Sequence, residues 1–286
     1  MTAEETAVVQ NLPIAKLRPF HNHPFKVLDD ESMQRTLESI SQFGILVPAI
    51  ARPRQDGTYE LIAGHRRLRA CSLLDLKTMP VIVRELDDDA ATILMVDSNL
   101  QRERLLPSER AFAYKMKMDA LKHQGLRTDL TSSQIGTKLL TSQIVGKKEG
   151  LSRNQIYRYI RLTNLIPGLL QRVDDQKLAF NPAVEISFLV PEEQTAFMDA
   201  MDYYESTPSL SQAQRIKKLS QEGNFTHDAL YSIMGEEKKE PWDRVTLKSD
   251  VLRKYFPRSY TPQQMENTII RLLDAWQKKR HREQER

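Results

Sequence analysis

The chain has 286 residues, 40% of them hydrophobic, and a single cysteine. This length suits two or three modest domains, each large enough to bury a core. The first residues lack a basic segment followed by an apolar run, and no stretch approaches the roughly 20 apolar residues of a membrane span, so we expect neither a secretory signal nor contact with a membrane. A lone Cys71 excludes an internal disulfide and a cysteine-rich zinc module, and it favours a reducing cytoplasm.

The formal net charge is +4, from 42 basic and 38 acidic side chains. Because this excess is small, the distribution of charge is more informative than the total. Between Thr131 and Thr163 there are six lysines and arginines and one acid, Glu149. This concentration favours a polyanionic partner such as nucleic acid, although a solvated helix face explains any single one of these bases equally well.

The first hundred residues alternate between strand and helix patterns. Residues 11–25 contain three prolines and predict an extended arm. A helix should follow, capped by Asp29 or Asp30 and ended by Gly44. The apolar runs at 45–53, 58–64 and 80–86 predict strands, and residues 65–76 predict a helix between the last two. The sequence therefore predicts a small α/β domain over residues 1–106.

Helical periodicity dominates after Ala90, so the predicted fold class is α+β. Two helices should meet near Pro107, with Ser108 capping the second, which should end at Gly125. We predict a helical domain over residues 107–234, a charged linker at 235–241 and a small unit over 242–286. The apolar positions Ile269, Leu272, Leu273 and Trp276 suit a dimerisation face in that unit.

A helix-turn-helix is predicted at residues 142–162, SQIVGKKEGLSRNQIYRYIRL. Gly146 is small where two helices must approach, and Gly150 supplies a left-handed turn residue. Ser152 should begin the second helix, where Gln155 completes a capping box. Ile156 and Tyr159 can then bury against the first helix.

The opposite face of the second helix carries the chemistry of DNA reading. Asn154, Tyr157, Arg158 and Arg161 recur at steps of three, four and seven. Arginine suits guanine or phosphate and asparagine suits adenine in the major groove. An ordinary amphipathic helix with a wet basic face is the alternative. The candidate DNA-binding residues are Ser152, Arg153, Asn154, Gln155, Tyr157, Arg158 and Arg161.

A second candidate site lies at residues 61–70, LIAGHRRLRA. A glycine at a strand-to-helix turn is followed by three arginines, and amide groups at a helix start together with guanidinium groups favour phosphate. No Walker-type GxxxxGK motif occurs, and arginines alone are a weak signal.

This segment is similar to the arginine-rich box of the ParB family. The segment SNLQRERLLPSERA at 98–111 resembles the phosphate motif and following helix of that family, and residues 44–48, GILVP, resemble the segment beside its base and sugar. The resemblance covers about residues 11–190. It implies a dimeric clamp that binds CTP and Mg²⁺, loads on palindromic, centromere-like DNA and works with a ParA-type ATPase at a nucleoid or plasmid. The nucleotide-binding residues it implies are Gly44, Gly64, His65, Arg66, Arg67, Arg69, Ser98, Asn99, Gln101 and Arg102.

Two positions depart from the family pattern. His65 replaces a common glutamate, and Ser98 replaces the glutamate that the family associates with magnesium and hydrolysis. Asp97 is the neighbouring carboxylate and the candidate catalytic residue, but one position along a helix turns a side chain by about 100°. The metal would be held mainly through the nucleotide phosphates, with Asn99 as a candidate ligand. Weak or absent CTP hydrolysis is therefore expected.

Other interpretations remain open at this stage. His65 could act as a catalytic base, although a structural or phosphate-contacting role is favoured because no serine or cysteine completes a triad. A sulfiredoxin-like enzyme would need a cysteine directly before His65, where Gly64 stands. A ParB-like transcriptional regulator would share the same DNA-binding residues. Trp242, Tyr255, Phe256 and Tyr260 are expected to be core aromatics rather than a stacking surface.

Overall fold

A computed structural model describes residues 8–102, 105–128, 145, 150–236, 249–257 and 259–284. The chain forms two compact units that divide between Glu236 and Glu237. Within the described part of the chain, no helix is long and apolar enough to cross a membrane. The first unit begins with a mixed α/β region and continues as packed helices, as the sequence predicts.

The α/β region is built on a five-stranded sheet in the order β1-β5-β3-β4-β2. β1 runs antiparallel to β5, β3 antiparallel to β4, and the pairs β3/β5 and β2/β4 are parallel. The strands are β1 (Val9–Pro13), β2 (Leu17–Pro19), β3 (Ala49–Pro53), β4 (Tyr59–Ala63) and β5 (Thr78–Val83).

Two of these strands come from the segment expected to be an extended arm. Pro13 and Pro19 end β1 and β2, and β2 pairs with only one neighbour, which is where a chain rich in proline is tolerated. The arm is thus part of the sheet up to residue 19, and only the following residues leave it.

Three helices complete this region: α1 (Glu31–Phe43), α2 (His65–Leu73) and α3 (Asp88–Leu100). Asp30 caps α1 by accepting a 2.8 Å hydrogen bond from the Met33 amide, and Gly44 ends it with φ +69°. Both predicted helix limits are confirmed, because caps of this kind are set by local sequence.

The helix α4 (Pro107–Thr128) differs from the prediction at both ends. Ser108 lies inside the first turn and does not cap it; its amide and hydroxyl donate to Asp174, at 3.0 and 2.6 Å. Glu109 instead accepts from the Leu106 amide at 3.0 Å. The helix also continues past Gly125, since one glycine costs only about 1 kcal/mol in a long helix.

The start of α4 joins the α/β region to the helices that follow it. Glu109 also accepts a 2.7 Å hydrogen bond from the Lys26 amide, and the Lys26 ammonium lies 3.6 Å from Asp174. One apolar core spans the same junction, because Phe20 and Ile62 share it with Tyr114 and Ile156. The expected boundary near residue 106 therefore lies where the two regions pack closely.

The helical region contains α5 (Arg153–Arg161), α6 (Pro167–Asp174), α7 (Phe180–Ile186), α8 (Pro191–Tyr203), α9 (Leu210–Gln221) and α10 (His227–Met234). A second core, centred on buried Leu162, Leu169 and Phe197, holds these helices together. Contacts of Tyr159 with Phe180 and of Arg161 with the Ser187 carbonyl place α7 beside α5.

The second unit is described through α11 (Ser249–Leu252) and α12 (Pro262–Gln284). The expectation that its aromatics form a core is wrong for Tyr255, which is 78% exposed. Met265 is the buried apolar residue among those described there, whereas Leu272, Leu273 and Trp276 are more than half exposed. Trp242 lies outside the described residues. The long helix α12 thus presents an apolar face that the described residues of its unit leave uncovered.

Candidate nucleotide and DNA interfaces

The turn between β4 and α2 requires glycine. Gly64 has φ +109°, which disfavours other residues, and a Cβ there would lie 2.9 Å from the Ala49 Cβ. The close approach brings the first amides of α2 to the end of the sheet. Since these amides lack partners within the helix, the turn is suited to an anion.

His65 is buried at this turn, and its contacts are structural. Its Nε2 accepts a 3.3 Å hydrogen bond from the Phe20 amide, so the proton of the neutral ring is on Nδ1. The ring stacks on His23 with 3.7 Å between centroids. Burial first, then the nearby His23 and Arg102, lowers the pKa of His65 to about 3. The side chain is thus neutral near pH 7 and holds the arm against α2.

His23 belongs to the same cluster, although no motif of the sequence assigns it a role. Its Nδ1 lies 2.8 Å from the Phe25 carbonyl oxygen, and its buried Nε2 has no hydrogen-bond partner among the described residues. Burial is the main cause that lowers the pKa of His23. The two neutral rings therefore add no positive charge to the turn.

The arginines of the box fall into two classes according to what holds them. Arg66 donates to Asp30 at 3.0 Å, and Arg69 donates to both oxygens of Asp29, at 3.2 and 2.6 Å. These carboxylates offset the two charges, and the pairs fasten the start of α1 to α2. A phosphate would have to compete with them for either guanidinium.

Arg67 is held differently, by neutral oxygens. Its Nη1 donates to the Val47 carbonyl and, at 2.8 Å, to the Pro48 carbonyl. Burial lowers the pKa of Arg67, which means that its charge is poorly compensated. Arg67 therefore ties the 44–48 segment to α2 and keeps a positive charge available beside Gly64.

Arg102 is the second cation without a close carboxylate partner among the described residues. Its guanidinium lies 5.7 Å from the centroid of Phe25. Burial is the main cause that lowers its pKa; Glu109 opposes this effect and the like charge of Arg66 adds to it. An anion bound beside Arg102 would relieve this repulsion.

The second box places its polar side chains at the end of α3. Asn99 is buried and donates to the Met95 carbonyl at 2.8 Å, whereas the exposed Ser98 donates to the same carbonyl at 2.9 Å. Gln101 is exposed at the end of the helix. Asp97 lies 2.5 Å from the ammonium of Lys117, which is itself buried. The candidate catalytic carboxylate is thus engaged in a buried ion pair between α3 and α4.

The pieces of the box suit a polyphosphate better than a metal. The Arg67 guanidinium and the start of α2 lie beside Gly64, whereas no group of three or more histidine, cysteine or acidic side chains suited to a metal occurs within the described residues. A Mg²⁺ ion here would have to be held largely by the phosphates themselves. The 44–48 segment that Arg67 holds begins at Gly44, where a Cβ would meet no atom within 4 Å. Leu46 and Val47 of this segment are exposed.

The helix α5 begins as the sequence predicts. Ser152 Oγ accepts from the Gln155 amide at 3.3 Å, and Gln155 Oε1 accepts from the Ser152 amide at 2.8 Å, which completes the capping box. Gly150 has the left-handed φ of +66°. Ile156 is fully buried and shares a core with Val145, the one described residue between 129 and 149. Gly146 lies outside the described residues.

The predicted reading face is divided between exposed and anchored side chains. Asn154 and Tyr157 are exposed, and Arg153 lies 5.5 Å from the Tyr157 ring. Arg158 donates to the Asn181 side-chain oxygen at 2.7 Å. Ser152 and Gln155 have their side chains in the cap. The first turns of α5 therefore offer the freest polar groups.

Arg161 is the most enclosed of the predicted DNA-binding residues. It donates to the Ser187 carbonyl at 2.8 Å, and its guanidinium lies 3.8 Å from the centroid of Phe188. Burial lowers its pKa. Arg161 therefore connects α5 to the end of α7.

An open groove of about 420 Å³ lies beside α5. It is lined by Lys115, Tyr157, Arg158, Ile160, Arg161, Thr163, Asn164, Val184 and Phe188.

Cys71 does not have the features of a reactive thiol. It is fully buried among Leu61, Met79 and Val81 in the core between α2 and the sheet, and burial raises its pKa. A sulfiredoxin-like reaction needs an exposed thiolate, so this geometry disfavours it.

Comparison with known proteins decides the family. A family model for the ParB N-terminal domain matches residues 1–100. The chain is 34% identical over 188 residues to the chromosome-partitioning protein Spo0J of Thermus thermophilus, which covers 66% of this chain and 63% of that protein. Residues 1–100 of this chain are therefore a ParB N-terminal domain, and the chain is similar to ParB-type partition proteins. It spans less than two thirds of the length of that relative.

Two solved structures of C-terminally truncated ParB from Caulobacter crescentus are also similar. The one complexed to the centromeric parS site is 24% identical, with a TM-score of 0.43 and coverage of 74% of this chain and 99% of that chain. The one complexed with CTP-gamma-S is 28% identical, with a TM-score of 0.32 and coverage of 63% and 92%. Both TM-scores are too low to transfer a site or a ligand to this chain.

The buried His65 should make the stability of this protein depend on pH. Below the ordinary histidine pKa of 6.5 the unfolded chain binds a proton at residue 65, whereas the folded chain does so only near pH 3. The stabilisation is therefore complete above pH 6.5 and is lost as the pH falls, by up to about 1.4 kcal/mol per pH unit. His23 acts in the same direction.

Urea unfolding between pH 5 and pH 7 tests this expectation. His65→Gln keeps an oxygen that can accept from the Phe20 amide but does not titrate, so its stability should change less with pH than that of the natural chain. Equal slopes for the two proteins would contradict the assignment of a neutral, buried His65.

Proposed function

We propose that this chain is a sequence-specific, double-stranded DNA-binding partition protein that binds CTP. The observation that carries the proposal is that cations of both candidate interfaces, Arg67 and Arg158, are fixed by neutral oxygens and so keep their charge for a polyanion. Similarity to ParB-type partition proteins supports the pairing of the two activities in one chain. A cytoplasmic location on the nucleoid or a plasmid belongs to the same proposal.

For DNA, we assign the base-reading role to the start of α5. Asn154 and Tyr157 are exposed on the first turns, and Arg158 stands one turn further on. A helix presented in this way enters a major groove with its amino-terminal residues against the base edges. Arg153 and Lys115 are the neighbouring exposed cations suited to the phosphate backbone.

For the nucleotide, Arg67 and Arg102 are the first candidates for phosphate contacts. The α2 amides beyond Gly64 complete the cradle, and the positive charge of Arg66 adds to the field that Arg102 experiences. Arg69 is better suited to its ion pair with Asp29. The choice of CTP rests on the family boxes, and Mg²⁺ would neutralise the triphosphate when bound.

Clamp formation requires two copies, and α12 offers a suitable face. Ile270, Leu272, Leu273 and Trp276 are 49%, 63%, 56% and 58% exposed. Spacings of three and four residues place apolar side chains along one side of the helix, as in a paired helix. We propose that this face makes the homodimer, and that a ParA-type ATPase acts on the assembled protein.

Binding of the four ribonucleoside triphosphates, measured by calorimetry with Mg²⁺ and DNA present, tests the nucleotide proposal. CTP should bind more tightly than ATP, GTP or UTP. Arg102→Gln should weaken CTP binding by roughly ten-fold or more, because a charge-assisted hydrogen bond is lost. Equal affinity for all four nucleotides, or no binding at all, would refute CTP recognition.

Hydrolysis of CTP should be slow. Ser98 is neutral and Asp97 is paired with Lys117, so neither is suited to orient water or hold Mg²⁺. Phosphate release should rise in Ser98→Glu. Asp97→Ala should instead lower the free energy of unfolding, by about 3 to 5 kcal/mol, because it leaves a buried ammonium unpaired. Fast turnover by the natural protein that disappears in a folded Asp97→Ala variant would assign the catalytic role to Asp97.

The DNA proposal predicts that Asn154 contributes to sequence-specific binding and Lys115 to sequence-independent binding. A duplex selected from a random pool supplies the cognate site for titrations at several salt concentrations. Asn154→Ala should weaken binding to this duplex by about 1 to 3 kcal/mol and reduce the sequence preference at one base pair. Lys115→Gln should weaken all duplexes alike and reduce the salt dependence by about one phosphate contact. Failure of the natural protein to select any sequence would refute specific reading.

Genome-wide immunoprecipitation separates partition from regulation. Clusters of sites near one replication origin or on one plasmid are expected of a partition protein. Scattered sites at promoters would favour the ParB-like transcriptional regulator, which would use the same residues of α5.

A further inference from the structure

Arg158 is held from two sides by the first turn of α7. Its Nη2 donates to the Asn181 side-chain oxygen at 2.7 Å, and its guanidinium lies 5.5 Å from the centroid of Phe180. Phe180 itself packs against Tyr159, with 4.8 Å between ring centroids. Asn181 is exposed and follows Arg158 by 23 residues, so the contact is made by the tertiary fold and not by the helix-turn-helix.

The chemistry of this contact suits an arginine that must bind something else. A guanidinium has five N–H donors, and an amide oxygen occupies one of them without removing the charge. Arg172, by comparison, is held by a carboxylate: it donates to both oxygens of Asp202, at 2.8 and 2.6 Å. A carboxylate at position 181 would hold Arg158 more strongly but would offset its charge and repel DNA phosphates.

The contact also limits the freedom of a long side chain. An unrestrained arginine loses about 2 kcal/mol of rotamer entropy when it is fixed, and a side chain that is already oriented loses less on binding. Because the contact is exposed, it adds little to the stability of the fold. A function in binding explains it better than a function in folding.

We propose that Asn181 is a positioning residue for DNA reading by Arg158. The proposal rests on the DNA-binding function of α5 and extends the interface to a residue of α7. Asn181 orients the Arg158 guanidinium toward the base edge, with Phe180 supporting the flat face of the group, so that sequence preference at the Arg158 contact depends on both residues.

The test compares Asn181→Ala, Asn181→Asp, Arg158→Ala and the Asn181→Ala/Arg158→Ala double variant. Fluorescence anisotropy is measured with the duplex that the natural protein selects from a random pool, with single-base changes of it, and with a scrambled duplex. Asn224→Ala, at an exposed asparagine in the loop after α9, is the matched control. Thermal unfolding of each variant confirms that it is folded.

Asn181→Ala should lower the affinity for the selected duplex by about five-fold, because one orienting hydrogen bond is lost. The affinity for the scrambled duplex should hardly change. It should reduce discrimination at the same base pair as Arg158→Ala, and it should have no further effect in the double variant. Asn181→Asp should weaken both duplexes. Asn224→Ala should match the natural protein.

Unchanged affinity and discrimination in Asn181→Ala would overturn the positioning role while leaving DNA binding intact. Effects of Asn181→Ala and Arg158→Ala that simply multiply in the double variant would also overturn it, since Asn181 would then act independently. If the natural protein selects no duplex, the DNA-binding proposal itself fails, and that result is distinct from both.

Discussion

The charge of an arginine is available to a ligand only when the group that holds the arginine is neutral, and this constraint organises both candidate interfaces. Arg67 is held by two backbone carbonyls and Arg158 by a side-chain amide. Arg66 and Arg69, by contrast, are paired with carboxylates. The ion pairs with carboxylates stabilise the fold. A neutral oxygen instead orients the arginine and leaves its positive charge available to a phosphate or a base edge.

The two interfaces are connected through the start of α4. Glu109 bonds the arm and contributes to the electrostatic environment of Arg102, and Asp174 joins α4 to α6 in the helical region. A common apolar core includes Phe20 of the arm and Ile156 of α5. A ligand that moves the arm would therefore act on the packing beneath α5, because close-packed cores do not deform without resistance.

Local sequence predicted the parts of the structure that local chemistry determines. The cap of α1 at Asp30, the capping box of Ser152 and Gln155 and the turn at Gly150 all depend on residues within a few positions. The partners of Arg66 and Arg69 lie 36 and 40 residues away, and that of Arg158 lies 23 away, so no local pattern indicates them. Local sequence does not predict the strands of the arm for the same reason. Their hydrogen bonds come from strands that are distant in sequence, and their prolines are typical of irregular structure. The sequence likewise nominates Asp97 as a catalytic residue only because it is next to Ser98. In the structure the Asp97 carboxylate is paired with Lys117 on another helix.

The central claim is that the partner of an arginine, more than its place in the motif, decides whether it binds the nucleotide. Calorimetric titration of CTP with Mg²⁺ into Arg67→Gln and Arg69→Gln, both shown by thermal unfolding to be folded, tests it most directly. The account predicts that Arg67→Gln weakens CTP binding by roughly ten- to a hundred-fold, as expected for the loss of a charge-assisted hydrogen bond, whereas Arg69→Gln changes it by less than about two-fold. Equal losses in the two variants, or a larger loss in Arg69→Gln, would contradict it.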